Sequence, residues 1–209
     1  MIIEKQSYKI ITKINSKKIL QHLENAGRIC YKSEEKVTKE SCNLFITNLI
    51  KRGHESVLEH FSITIKFNCS IGISRELIRH RMASYSEMST RYCNFTKDKF
   101  GNTLTFIEPT WLKKAPKSYI AVWKAALKTS AITYQSLISL DLTPQEARGV
   151  LPLDLKTEIY MTCNLRELRH ILKLRTASGA HPDMKQLMLP LLKELKHKLP
   201  IIFEDITSN

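Results

Sequence analysis

FSITIKFNCSIGISRELIRHRMASYSEMSTRY, residues 61–92, is the stretch on which the reading of the fold turns. Its first eight residues alternate strictly. That pattern predicts a half-buried strand with Phe61, Ile63, Ile65 and Phe67 on its inner face. ISRELIRHRMA, residues 73–83, then reads as a helix with Arg75 and Arg79 one turn apart on the same face. If that helix ran on through Arg81, Arg79, His80 and Arg81 would fan over about 200°. They would then reach different groups, or different ligands, near a helix end. The polar run SYSEMSTRYCNF, residues 84–95, does not continue the helix and reads as loop or extended chain leading into a strand.

Working outward, residues 2–12 alternate loosely, as a strand does, and residues 103–107 form a second short strand candidate. Asn15 and Ser16 cap a helix expected to run to about Cys30, ahead of a polar loop from Lys32 to Lys36. Thr38 caps a second helix with Cys42, Phe45, Ile46, Leu49 and Ile50 at helical spacing, and Gly53 stops it. HESVLEH, residues 54–60, is too mixed for either period. Pro116 opens a long helix reaching about Leu142. Thr143-Pro-Gln-Glu146 is a capping box with proline at the first helical position. Residues 156–163 read as a strand or an extension of helix. Asn164 with Glu167 caps a helix through Arg175, and Asp183–Lys198 forms the last helix, with a kink at Pro190. The fold class expected is α+β, an antiparallel-type sheet with segregated helices. No repeat, linker or composition break divides the chain, so one domain over residues 1–209 is expected.

Bulk properties narrow the function without choosing it. The 209 residues carry 33 Lys and Arg against 20 Asp and Glu, a formal net charge of +13. Such an excess concentrates anions, which include nucleic acids, nucleotides, dinucleotide cofactors and folates. Five cysteines, an odd count without C-x-x-C, argue against a disulfide framework or zinc knuckle. The first residues lack a signal-peptide pattern, and no apolar run approaches the roughly 18 residues of a membrane span. A soluble, cytoplasmic protein is expected.

The densest chemical signal is Arg79-His80-Arg81 followed, after seven residues, by Ser89 and then Arg91 and Tyr92. Arginine forks bind phosphate bidentately, and the hydroxyl and N–H groups of residues 84–89 can complete an anion's shell. This suits a phosphorylated small molecule. The alternative is a helix C-terminus with favourably placed cations. Six specified positions, each with a chance of roughly one in twenty, coincide by accident about once in ten million starting positions or less.

RHRMASYSEMSTRY resembles the signature of the flavin-dependent thymidylate synthases, R-H-R, seven residues, S. Three further segments resemble that family in the expected order. They are Gly53-His54-Glu55-Ser56 with Glu59-His60, then Glu146-Ala147-Arg148 with Leu151-Pro152, then Asn164-Leu165-Arg166 with His170 and Arg175. The resemblance spans about Gly53 to Leu187. Gly179 stands where some relatives have histidine, with His181 two residues later. Ser86 and Glu76 stand where some have Asn and Gln.

The resemblance implies reductive methylation of dUMP to dTMP, with FAD as cofactor and methylenetetrahydrofolate and NADPH as co-substrates. It implies FAD binding by His54, Ser56, Arg79, His80, Arg81 and Glu87, and by Asn164, Leu165, Arg166 and His170 of a neighbouring subunit. It implies dUMP binding along Glu76, Leu77, Ile78 and Arg79, along Glu87, Met88, Ser89, Thr90 and Arg91, and by Arg148 and Arg175. Arg175 would sit by the pyrimidine as the catalytic residue. The family forms homotetramers with sites shared between subunits. A guanidinium beside the uracil stabilises charge left by loss of the N3 proton, which pushes electron density onto carbon 5. No protein nucleophile is then required, and no cysteine has a clear activating base beside it in sequence. A sibling activity, hydroxymethylation or action on another pyrimidine nucleotide, remains an alternative. A basic nucleic-acid-binding module is another, although no zinc, homeodomain or RNP-type motif is present. His54 and His60 with Glu55 and Glu59 lack H-E-x-x-H spacing, and no metal is expected.

Overall fold

A computed structural model describes residues 1–207; Ser208 and Asn209, the end of the expected domain, lie outside them. The chain runs β1 (Ile2–Glu4), β2 (Ser7–Ile10), α1 (Ser16–Ile29), α2 (Ser41–Lys51), β3 (Ser62–Ser70), α3 (Ile71–Leu77), β4 (Ala83–Glu87) and β5 (Thr105–Ile107). It continues through α4 (Lys117–Ser139), α5 (Pro144–Ala147), β6 (Lys156–Asn164), α6 (Leu165–Thr176), α7 (Pro182–Lys198) and α8 (Pro200–Phe203). Four strands form an antiparallel sheet in the order β2-β3-β6-β4. β1 and β5 pair separately and in parallel, with Ile2 opposite Thr105 and Glu4 opposite Ile107. That small pair departs from the antiparallel expectation, while the α+β class holds.

Two compact units partition the chain. The first comprises Met1–Ser7, Phe67–Arg79 and Tyr85–Tyr160; the second comprises Tyr8–Lys66, His80–Ser84 and the chain from Met161 onward. In the first, α4 turns Leu127, Ala131 and Tyr134 onto Phe95, Leu104, Phe106 and Leu155. In the second, α1 packs on α2 and α6 on α7, burying Leu23, Ile46, Leu168, Leu172 and Leu191 completely or nearly so.

Local signals explain most boundaries. Asn15 caps α1 by accepting from the Lys18 N–H, and Thr143 and Glu146 form the capping box that opens α5. Gly53 adopts φ +72° after α2. The N–H of His54 bonds the Leu49 carbonyl at 2.9 Å and that of Gly53 bonds Ile50 at 3.0 Å, closing a Schellman motif. Ile63, Ile65 and Phe67 of β3 are fully buried, as the alternation predicts, and HESVLEH becomes a 3₁₀ turn, Glu55–His60.

Three expectations are corrected. The loose alternation of residues 2–12 is two strands in different sheets, because the chain breaks at Lys5 and Gln6. α2 begins at Ser41 rather than directly after Thr38, whose hydroxyl nevertheless accepts the Ser41 N–H at 3.1 Å. The helix expected over residues 73–83 begins earlier and stops at Leu77, with Ile78 as its cap. The Leu77 carbonyl accepts the Tyr85 hydroxyl at 2.6 Å, and Ala83 already opens β4. Arg79, His80 and Arg81 therefore lie on a turn beyond the helix. Of the two readings of residues 84–95, loop or extended chain, residues 84–87 take the extended one, as part of β4. Among the described residues no helix is long and apolar enough to cross a membrane.

Candidate active site

In the second unit the site is built on the start of α6. β6 ends at Asn164, whose side-chain oxygen accepts the Glu167 N–H at 2.9 Å, and the Leu165 N–H bonds the Phe61 carbonyl at 2.9 Å. The helix is thus fixed in position by a cap and by the chain just before β3. Leu165, Leu168, Ile171 and Leu172 fill its inner face. Arg166 and His170, one turn apart, point outward together. With Glu55, Glu59, Met82, Asn164, Glu167 and Lys173 they line a cavity of about 390 Å³. Three of the residues expected at FAD, Asn164, Arg166 and His170, are therefore gathered around one cavity. The Leu165 side chain is fully buried.

Arg166 donates to Glu59 at 2.7 Å, and both side chains are about half exposed, at 52% and 46%. Such an exposed pair is worth about 0.2–1 kcal/mol. A charge-assisted bond to a phosphate, about 1.5–3 kcal/mol, would displace it. The donor set suits one segment of a dinucleotide: Arg166 and Lys173 for phosphate, His170 and Asn164 for hydrogen bonds. The cavity is too small for all of FAD within a single chain.

Behind Arg166, Arg169 is buried at 1% exposure. Its guanidinium grips Asp205 through both nitrogens, at 2.6 and 2.7 Å, Glu55 at 3.0 Å, and the Ile202 carbonyl. Hydrogen bonding to Arg169 holds the Asp205 carboxyl below the usual range, against the opposing effect of burial. This network ties α6 to the turn carrying His54, Glu55 and Ser56.

His80 is buried at 7% exposure. The Arg175 Nε–H donates to its Nε2 at 2.9 Å. An arginine Nε is only a donor, so His80 Nε2 carries the lone pair and Nδ1 the proton. Nδ1 faces Glu167 Oε1 at 3.7 Å, and the His170 ring stands edge-on with centroids 6.1 Å apart. Burial, then electrostatic repulsion from the neighbouring Arg175 and His170 side chains, lowers the His80 pKa to about 4. At neutral pH the imidazole is an uncharged acceptor that orients Arg175. His54, Ser56 and Arg81 are exposed.

The first unit gathers the other cluster. Ser89 makes a tight turn: its hydroxyl accepts the Arg91 N–H at 3.3 Å and its carbonyl accepts the Cys93 N–H at 2.9 Å. The Met88 N–H bonds the Glu158 carbonyl at 2.9 Å. Arg148, on the 3₁₀ turn after α5, donates to the Thr90 hydroxyl at 3.2 Å, so Arg148 and the Met88–Arg91 segment come together. The Arg91 guanidinium lies 5.3 Å from the Tyr92 ring centroid. Arg79, Glu87 and Ile78 are exposed, Glu76 is half-buried and Leu77 is fully buried.

All five cysteines are free thiols. Burial, with Glu87 near Cys69 and Glu167 near Cys163, pushes both thiols up to about 12, which leaves them protonated and inert at neutral pH. His181 is engaged as the N-cap of α7, its Nδ1 accepting from Asp183.

Sequence reasoning missed Glu167 as the partner of His80, Lys173 and Met82 as cavity walls, Glu59 as the partner of Arg166, and Arg169 altogether. Glu167 was visible only as a capping residue. Nothing in the local pattern marks Arg169 as buried.

The chain matches the model of the family described as thymidylate synthase complementing protein over residues 12–201. It is 33% identical over 187 residues to the flavin-dependent thymidylate synthase of Geobacter sulfurreducens, covering 86% of this chain and 78% of that one. It is 31% identical over 187 residues to the enzyme of that name from Thermococcus onnurineus, covering 86% and 75%. The UMP/dUMP methylase PolB from Streptomyces cacaoi, solved with 5-Br dUMP, has the same fold, with a TM-score of 0.80, 22% identity and full coverage of both chains. By the family match over residues 12–201 and the identity to these relatives, the chain belongs to the thymidylate synthase complementing protein family, that of the flavin-dependent thymidylate synthases.

Proposed function

We propose that the protein methylates carbon 5 of dUMP to give dTMP, taking the one-carbon unit from methylenetetrahydrofolate and reducing equivalents from NADPH through FAD. The observation that carries this reading is the placement of Arg175, held by a neutral, buried His80 at 2.9 Å on the helix whose start lines the cavity with Asn164, Arg166 and His170. FAD supplies the hydride chemistry when bound. The chain's own residues bind and orient. Asn164, Arg166 and His170 hold one part of the flavin cofactor, with His54, Ser56, Arg79, His80, Arg81 and Glu87 contributing around it. Arg148 with Ser89, Thr90 and Arg91 supplies the donors that a nucleotide phosphate dianion needs. Arg175 stabilises negative charge on the pyrimidine, which makes carbon 5 the better nucleophile. The inert thiols of Cys69 and Cys163 support a reaction without a protein nucleophile there. The protein acts as a cytoplasmic homotetramer of single-domain chains that share residues between sites.

The test is anaerobic turnover of the FAD-loaded protein with dUMP, methylenetetrahydrofolate and NADPH, followed by the mass of the nucleotide product. A methylated product is expected. A hydroxymethylated product would move the assignment to a sibling reaction, and protein that never takes up FAD would overturn it.

A further inference from the structure

Glu167 and Arg175 stand two turns apart on α6, about 12 Å along its axis, and the buried His80 ring reaches both. One nitrogen of the imidazole, Nε2, accepts from Arg175 at 2.9 Å. The other, Nδ1, faces Oε1 of Glu167 at 3.7 Å, where the attraction is electrostatic rather than a hydrogen bond. Both side chains are largely buried, His80 at 6% exposure and Glu167 at 13%. The Glu167 side chain has no other ion-pair or hydrogen-bond partner among the described residues. Its backbone is fixed independently, because the Asn164 side chain accepts the Glu167 N–H at 2.9 Å.

The two contacts make the same demand on the ring. Arg175 needs a lone pair on Nε2, which leaves the proton on Nδ1, and a carboxylate beside Nδ1 favours the proton there. A negative group at Nδ1 also strengthens Nε2 as an acceptor, since polarised groups in series reinforce one another inside a protein. Both partners come from one helix, whereas His80 comes from the turn beyond α3. Held at both nitrogens, the ring resists rotation; held at one, it can turn away from Arg175. An acid at the third residue of α6 also favours the helix dipole. That second duty needs only a charge in the first turn, while the contact with His80 depends on side-chain length.

We propose that Glu167 is a positioning residue for the methylation, acting through His80 to hold the Arg175 guanidinium in place. The proposal rests on the role given to Arg175 above. Glu167 takes no proton in it; the carboxylate sets which ring nitrogen carries one and keeps the ring still.

The test compares Glu167→Asp, which keeps an acid in the first turn but withdraws it from the ring by about 1.5 Å, with Glu167→Ala, which removes both. FAD-loaded protein labelled with ¹⁵N at histidine is followed by NMR, and His80 is assigned by the loss of its signals in His80→Gln. The parent should show the proton on Nδ1 and the lone pair on Nε2. In Glu167→Asp the His80 signals should move toward a mixture of the two tautomers, and kcat should fall about tenfold. The KM for dUMP should change less, FAD should bind no more weakly, and the melting temperature should stay near that of the parent. Added to His80→Gln, Glu167→Asp should cost little further activity, because its route to Arg175 is already gone. Parent-like spectra and kcat in Glu167→Asp, beside a destabilised Glu167→Ala, would leave Glu167 as a helix-end acid and overturn the proposal. An equal loss of kcat in the His80→Gln background would overturn it as well. If no methylated product forms even in the parent, the function proposed above falls, and the His80 spectra alone then support or overturn the coupling.

Discussion

Arg175 donates its Nε–H to Nε2 of His80 at 2.9 Å, a bond that exists only while the imidazole is unprotonated. Protonation would set two donors against each other and place a second positive charge beside the guanidinium. Arg175, His170 and Glu167, all on α6, face His80, and of these three Glu167 favours the charged ring.

Stability should therefore depend on pH through His80. Its folded pKa, about 4, lies below the ordinary value near 6.5, so between these limits the unfolded chain binds the extra proton. The contribution is complete above about pH 6.5 and declines as pH falls toward 4, by on the order of 3 kcal/mol for a group this buried. Urea melts across that range check it. His80→Gln, which keeps an acceptor for Arg175, should flatten the dependence and retain turnover better than His80→Leu. A slope unchanged in both variants would remove His80 from the account.

Arg175→Ala should lower methylation by about 10²–10³-fold, the usual scale for losing a preorganised charge-stabilising donor. FAD uptake, followed by flavin absorbance, should be largely retained. Arg175→Lys keeps the charge but loses the planar fork, so little of the rate should return. Turnover close to the parent in either variant would contradict the assigned role.

Arg169→Ala leaves Glu55 and Asp205 facing each other without their shared cation. Breaking a fully buried pair costs about 3–5 kcal/mol. Asp205 is half exposed, at 49%, so about 3 kcal/mol is expected. That corresponds to a fall in melting temperature of about 6–12 °C. In the parent protein the contribution of Asp205 is present above the ordinary carboxylate pKa, about 4, and is lost as pH falls below that through the depressed folded value. Thermal melts of parent and variant against pH measure both effects.

Gly53→Ala places a side chain at φ +72° with nothing within 4 Å of the new methyl. The cost is conformational rather than steric, about 1–2 kcal/mol. Gly27→Ala differs, because its methyl would stand 2.7 Å from the Phe45 ring edge and push Phe45 out from under Arg28. Comparison of the two by chemical denaturation should show the larger loss at Gly27. Equal losses would mean that the α1–α2 contact yields easily.

Much of this molecule is legible in the residues because its signals are local. Asn15, Gly53, Thr143 and Asn164 punctuate the chain through side-chain caps or a positive φ, and the alternation of β3 fixes its buried face without help from elsewhere. The end of α3 was misjudged because IRHRMA has adequate helix propensity, and only the Tyr85 hydroxyl and the pairing of β4 end it at Leu77. The candidate site residues stand out as a motif, whereas the side chains they meet in the fold do not. Glu167 meets His80 and Arg169 meets Asp205 across 87 and 36 positions, a pairing that only the tertiary fold creates.

α6 presents Arg166 and His170 to the cavity from one side while Arg169, on the other, is locked to Asp205 beyond α8. The shape of that cavity and the Arg169–Asp205 lock are therefore mechanically joined through α6. If the cavity holds the flavin as proposed, Asp205→Asn should loosen the cofactor although Asp205 does not line the cavity.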